Sequence, residues 1–398
     1  MPSFSLKTLL WGTAVSSLAA QVAASPVVGP RSLYAEHALN KRANLVVRQT
    51  TTTDDNTIDW IPIESQGEIA AAPPTRSLKN AKLAAESNAT KPVSELMKPD
   101  AQLGPPGTVP IPRVSLDYLN NVAEKQLPDI GTADSKAKSK RQNANKHWYV
   151  SSNQNVGNIG GLATYSLYKA YVANNGDFSL LQTAVTKQGT NGGQTLEAGW
   201  INYPNQVSAP HLFTFYTTNG YATQADYQGG WNQDVKGWVQ VDTVIFPGTV
   251  FAPNSVDGGT QYEMEIEYYL YQGNWWLWVL DRWIGYYPAS LFSNGISGVT
   301  LATGSDVILY YGEIYQNEDP LTTTDMGSGN WGTSGFGHSA YIRKMYWTDS
   351  SATLRDYTAT FGDSDSNRYN HQNTISSGAD WGSYVFLGGP GAGGVIGG

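Results

Sequence analysis

Strict alternation dominates the chain after residue 141: HLFTFYTT, GWVQVDTVIF, QYEMEIEYYLYQ, NWWLWVLDRWIGYYP and DVILYYGEIYQ. A period of two sends successive side chains to opposite faces of a strand. Aromatic and β-branched residues suit a pleated, half-buried surface. Turn signals such as TNG, QGN and VDGG separate the runs. Many short strands spaced by turns predict an all-β sandwich or barrel. Helix is scarce in this part, with ATYSLYKAYVA ambiguous, and the glycine-rich end GGPGAGGVIGG reads as a frayed tail.

The first 141 residues have a different character. The opening MPSFSLKTLLWGTAVSSLAAQVAASP has a lysine, Lys7, then a short apolar run, then small residues suited to cleavage. That pattern predicts a signal peptide over 1–25 and a secreted protein, and the run is too short for a membrane span. Residues 26–141 are poor in aromatics and hold stretches such as QTTTTDD and GPPGTVPIP, which read as irregular, linker-like chain. One exception is VSLDYLNNVAEKQL, Val114 to Leu127, which predicts a helix capped by Ser115. The segment ends at Lys140-Arg141, a dibasic pair suited to a processing protease, and NKRA at Lys41-Arg42 offers a second such pair. The division expected is therefore signal peptide 1–25, propeptide 26–141 and a β domain over 142–398 with a glycine-rich tail.

Charge follows the same division. Residues 1–141 carry a net charge of +3 and the remainder −11, giving −8 for the whole chain. An acidic β domain argues against nucleic acid as a partner, because binding it needs basic patches. Cysteine is absent, so no disulfide framework supports the fold. A secreted chain of this kind depends on a large core, and 398 residues suffice for one.

Most familiar catalytic patterns are missing. No G-x-S-x-G marks a serine nucleophile, and GTSGFGH lacks that spacing. The five histidines are scattered without an H-E-x-x-H pair, so neither zinc nor another cofactor is called for. DSDSN, Asp363 to Asn367, starts like a calcium loop but lacks the loop glycine and closing glutamate, and reads as a solvated turn. In QYEMEIEYYLY, Glu263, Glu265 and Glu267 share one strand face, the pattern of a wet face or of an acidic cleft.

Two further glutamates sit in apolar strands. In TLEAGW, Glu197 shares its face with Thr195 and Gly199, while Leu196, Ala198 and Trp200 point to the core. Gly199 would leave space beside the carboxylate for a substrate backbone. In LYYGEIYQ, Glu313 shares a face with Tyr311 and Tyr315, which could hold a substrate chain through hydrogen bonds, and Gly312 gives the strand room to bend. Carboxylates are seldom buried alone. Either both face water or they share a site, and the residues by themselves leave both readings open.

Three segments together resemble the neprosin family of secreted glutamic peptidases: LEAGWINYP, GNWWLWVLDRWIGYYPASLF and YYGEIYQN. DMGSGNWGTSGFGHSAYIRKMYW resembles the glycine-rich C-terminal segment of that family, and the matches run in order through most of residues 146–386. The resemblance implies a β-sandwich of two antiparallel sheets and catalysis by Glu197 and Glu313. It further implies latency imposed by an N-terminal propeptide, activity in acid, and endopeptidase cleavage of peptide and protein substrates after proline. Two departures stand out: YYGEI has tyrosine for the first family glycine, and the cysteines of plant members are absent. A glutamate pair in a Trp- and Tyr-rich sandwich also suits a glycoside hydrolase or a carbohydrate-binding cell-wall module. In a peptidase, one carboxyl would activate water while the other polarises the carbonyl, with Glu197 favoured as base on account of Gly199. The opposite charges of the two parts suggest that the propeptide acts as an intramolecular inhibitor that leaves as carboxylates protonate.

Overall fold

The structure, a computed structural model, describes residues 31–67, 69–70, 72–75, 89–130, 146–189, 192–376, 378 and 380–398. The expected signal peptide and the Lys140-Arg141 pair lie outside the described residues. The chain divides into Met1–Arg31 and a second compact unit, Ser32–Gly398. Among the described residues no helix is long and apolar enough to cross a membrane.

The second unit opens with helix α1 (Leu33–Ala43), strands β1 (Gln49–Thr52), β2 (Thr57–Pro62) and β3 (Thr108–Pro112), and helix α2 (Leu116–Asn120). The three strands form a small antiparallel sheet, so the segment before the β domain has structure of its own where its composition suggested irregular chain. The strands that follow are β4 (His147–Asn158), β5 (Gly160–Ser166), β6 (Phe178–Lys187), β7 (Gln194–Tyr203), β8 (Val207–Thr217) and β9 (Gly229–Trp231). Next come β10 (Val239–Gln240), β11 (Glu263–Tyr271), β12 (Asn274–Val279), β13 (Arg282–Pro288) and β14 (Ser305–Tyr315). The last are β15 (Ala340–Thr348), β16 (Leu354–Asp356), β17 (Gly362–Asp363), β18 (Asn370–Thr374) and β19 (Tyr384–Gly388).

These make two antiparallel sheets. One has seven strands in the order β17-β4-β14-β6-β7-β8-β9. The other has nine, in the order β10-β13-β12-β11-β5-β15-β19-β18 with β16 beside β15. Leu181, Val185, Leu196, Ala198, Trp200, Ile308 and Ile314 are buried from the seven-stranded side, and Ala163, Tyr165, Met264, Ile266 and Tyr268 from the other. Polar tips cross between the sheets: Trp200 Nε1 donates to the Ser166 carbonyl at 2.7 Å and Tyr268 Oη to the Glu197 carbonyl at 3.0 Å. Trp200 and Tyr268 thus contribute buried area and still satisfy their polar atoms. The fold is the expected antiparallel β-sandwich.

Three local expectations need correction. The helix expected over Val114–Leu127 starts at its predicted cap, with the Ser115 hydroxyl accepting from Tyr118 N at 3.0 Å, but stops at Asn120. Beyond it, Ala123 N donates to Tyr203 Oη at 3.0 Å and Ala123 O accepts from Trp231 Nε1 at 3.2 Å. The β domain has captured backbone groups that another helical turn would have used. Second, Glu263, Glu265 and Glu267 do share a face, yet all three are buried, so the face is not wet. Arg343 Nε and Tyr341 Oη both donate to Glu263 Oε2 at 2.9 Å, and the Arg343 guanidinium lies over the Trp381 ring. Third, the glycine-rich end is tied back: Ala392 N donates to Thr322 O and Gly397 N to Asp325 Oδ2.

Candidate active site

Glu197 on β7 and Glu313 on β14 lie two strands apart with β6 between them. Their face looks away from the nine-stranded sheet, since Leu196, Ala198, Gly312 and Ile314 alternate to the inner side. A Cβ at Gly312 would come within 2.5 Å of Leu387 Cδ1 and 3.0 Å of Met326 Sδ. That glycine therefore serves inter-sheet packing. Gly199 also has a role other than the expected one. A Cβ there would lie 2.0 Å from the Leu181 carbonyl oxygen, so the residue permits close approach of β6 and leaves no gap for substrate.

The two carboxylates converge. Both are fully buried, and both contact the Lys125 ammonium, at 3.0 Å for Glu197 Oε2 and by a short hydrogen bond for Glu313 Oε2. Lys125 belongs to the extended chain after α2, so the residue bridging the pair comes from the N-terminal segment that precedes the sandwich strands. Its ammonium also reaches Gln182 Oε1 at 3.3 Å and sits 5.7–5.9 Å from the ring centres of Phe178, Phe213, Trp231 and Tyr311. Burial opposes the charge on Lys125. The two glutamates outweigh it and hold the ammonium above its ordinary range.

The remaining partners of the two glutamates differ. Glu197 accepts from Tyr221 Oη at 2.6 Å, Gln182 Nε2 at 2.9 Å and Tyr311 Oη at 3.1 Å. Burial, and then the charge of Glu197, push the Tyr221 and Tyr311 hydroxyls well above their ordinary range, so both keep their protons as donors. Glu313 has His147 Nδ1 at 2.8 Å from Oε1. Tyr315 packs on that imidazole and stacks on Phe178, with ring centres 4.9 Å and 5.3 Å away. Tyr311 and Tyr315 thus both border the pair, Tyr311 through a hydrogen bond and Tyr315 through ring contact.

Sequence reasoning missed Lys125, Gln182, His147, Tyr221, Phe213 and Trp231. Gln182 left a trace, because it interrupts the buried face formed by Phe178, Leu180 and Ala184 in FSLLQTAVTK. His147 alternates with Tyr149 at the start of β4, a weaker trace. Nothing local distinguishes Lys125. Elsewhere, His211 is a core histidine, with Nδ1 2.8 Å from Ala209 O and Nε2 2.8 Å from Gln206 Oε1, and burial lowers it to about 4. Asp363 and Asp365 of the DSDSN turn pair with His371 and Arg368. Lys41-Arg42 lies in the last turn of α1, with Lys41 on the carbonyls of Gln233 and Val235 and Arg42 on Asp59, which is not the open loop a processing site needs. Among the described residues no group of three or more His, Cys, Asp or Glu side chains is arranged to hold a metal.

Among solved structures the chain is similar to Scytalido-glutamic peptidase with a peptide-based transition-state analog. The identity is 7% and the TM-score 0.30, over 61% of this chain and 98% of that one, a likeness too weak to place residues. The profile of the neprosin family matches residues 175–390, a span containing both Glu197 and Glu313 together with Gln182, Tyr221 and Tyr311. With its sandwich fold and this match over more than half its length, the chain belongs to the neprosin family of glutamic peptidases.

Proposed function

We propose that the protein is a secreted, acid-acting glutamic endopeptidase made in latent form, with Glu197 and Glu313 as its catalytic pair. One observation carries this reading: two buried carboxylates from separate strands meet at one point, and only a pro-segment side chain fills it. A peptide bond at that point would contact both carboxyls at once. Glu197 faces three neutral donors, which pair with a carboxylate better than with a carboxylic acid. It is the base: it takes a proton from water as the water oxygen attacks the carbonyl carbon. Glu313 carries the proton and gives it to the carbonyl oxygen, so the tetrahedral intermediate forms without net charge. On collapse, Glu197 returns its proton to the leaving amine and Glu313 recovers its own. The base is the one favoured from sequence, on different grounds, since Gly199 offers no room.

Acid action follows from this division of labour, because one carboxyl must be protonated and the other ionised, and a close pair retains one proton. The aromatic walls suit a flat, apolar residue such as proline beside the cleaved bond. Latency follows from Lys125, which occupies the carboxylate oxygens that water and carbonyl would need. Secretion rests on the N-terminal signal pattern. The test is digestion of a denatured protein mixture by the full chain at several pH values between about 3 and 7, with the new peptide termini read by mass spectrometry. Activity is expected in acid after a lag, with termini enriched in proline. Absence of peptide cleavage at every pH, with or without loss of the pro-segment, would reject the reading.

A further inference from the structure

The Lys125 ammonium has three N–H donors, and three acceptors converge on it: Glu197 Oε2, Glu313 Oε2 and Gln182 Oε1. Four rings complete the enclosure at nearly equal distances. All seven of these groups stand on strands β6, β7, β8, β9 and β14, and none on the pro-segment. The enclosure is thus a property of the sandwich. Both charge and geometry select its occupant. A guanidinium is planar and spreads five donors over a fork, which does not match three acceptors around one nitrogen. A quaternary ammonium has no N–H to give, and a neutral chain would leave two buried carboxylates facing each other.

We propose that this enclosure is a receptor for a primary alkyl ammonium ion in its own right. Once Lys125 is withdrawn, it accepts a free amine or the lysine side chain of another peptide. Such a lysine holds both carboxylates as ion pairs and displaces water and carbonyl. Lysine-bearing peptides of this kind are therefore ligands that block the site rather than substrates cut there. The blocking effect rests on the peptidase reading of the same two glutamates, whereas the binding itself rests only on the enclosure.

The test uses the full chain with Lys125→Ala and n-propylammonium, which restores the atoms removed from Cγ to Nζ. Melting temperature is followed against amine concentration at pH 7. The inference predicts a saturable rise in the variant of roughly 2 °C at ten times the half-saturating concentration, and no saturable rise in the unmodified chain. The neutral probe 1-propanol should give no comparable rise, and ethylguanidinium little. The rise should shrink in acid, because a neutral carboxyl no longer attracts a cation. Should Lys125→Ala alone leave too much repulsion to fold, the double variant Lys125→Ala, Glu313→Gln has one carboxylate fewer and should still bind, more weakly, through Glu197 and Gln182. Absence of a saturable rise in whichever variant folds, an equal rise with 1-propanol, or a rise that does not diminish in acid each overturns the inference. None of these readouts uses peptide cleavage, so failure here leaves the peptidase assignment standing, and failure of cleavage leaves the binding result intact.

Discussion

Two sets of carboxylates lie buried on outward faces of the sandwich, and they are neutralised in different ways. Glu263 on β11 is met by Arg343 on β15, in the same sheet, backed by Tyr341 and Trp381. Its counter-ion is part of the domain. Glu197 and Glu313 are met by Lys125, which belongs to the N-terminal segment that precedes β4. Both arrangements satisfy the requirement that a buried charge have a partner. They differ in where the partner sits: in the same sheet for Glu263, and in the N-terminal segment outside the sandwich for Glu197 and Glu313. On the proposed function, the guanidinium-paired carboxylate is structural, whereas the two that share one ammonium would be free to exchange protons once that ammonium is withdrawn.

The sharpest way to break this contrast is to neutralise each carboxylate. Glu197→Gln and Glu313→Gln should each lower peptidase turnover by about a hundredfold or more, the usual contribution of a general acid or base. Folding should persist, because glutamine is nearly isosteric. Comparing turnover per folded molecule with thermal melts checks this, and turnover above about a tenth of the original in either variant would remove that residue from the pair.

Next in size is Lys125→Met in the full chain. It removes the shared counter-ion and leaves two carboxylates together, which should cost about 3–5 kcal/mol of stability at neutral pH. Lys125 is held above its ordinary range, so it is charged throughout the acid and neutral range, and its own contribution would be lost only as pH rose through that raised value. The pH dependence below neutrality therefore belongs to the carboxylates. Like charges held together are relieved when one is neutralised, so the cost should shrink in acid. Denaturant melts at several pH values measure this, and the same variant should cleave peptides in acid with little lag.

Glu263→Gln tests the other side of the contrast. Breaking the pair with Arg343 should cost about 3 kcal/mol, because it leaves a buried guanidinium undercompensated. Turnover per folded molecule should be unchanged. A folded but inactive Glu263→Gln would remove the distinction between structural and catalytic carboxylates.

How far the sequence carried these distinctions depends on the range of the interactions. Alternation is local, so the strands, the shared face of Glu263, Glu265 and Glu267, and the inward Trp200 were all legible. Burial of that face was not, because it depends on Arg343, eighty residues away from Glu263. The cap at Ser115 was legible, but the end of its helix was not, since Tyr203 and Trp231 capture the chain from the β domain. Lys125 was the least legible of all. Its partner Glu313 lies 188 residues on, and VAEKQL by itself looks like an ordinary solvated helix face.

The smallest expected effect concerns a second contact of the pro-segment, and it opposes the first. Asp234 in the β domain accepts from Tyr34 Oη at 2.9 Å and Tyr118 Oη at 2.8 Å, both of which the pro-segment supplies. Burial pushes its carboxyl up to about 6, more than the two tyrosines and Lys41 can offset. Where the docked segment supplies that burial, the docked state binds more protons, and docking here carries a penalty above about pH 6 that is relieved as pH falls towards about 4. At this contact acid therefore tightens the pro-segment, while at the glutamate pair protonation weakens its hold on Lys125. Release in acid requires the second effect to exceed the first. Asp234→Asn removes that penalty, so its N-terminal segment should be held more tightly near neutrality and detach at a lower pH than in the parent chain, with a stability difference between pH 7 and pH 4 changed by about 1–3 kcal/mol. Limited proteolysis of the pro-segment across that pH range would show the shift. An unchanged release profile would mean that Asp234 takes no part in setting the pH of release, and that the Lys125 contact sets it without opposition from this site.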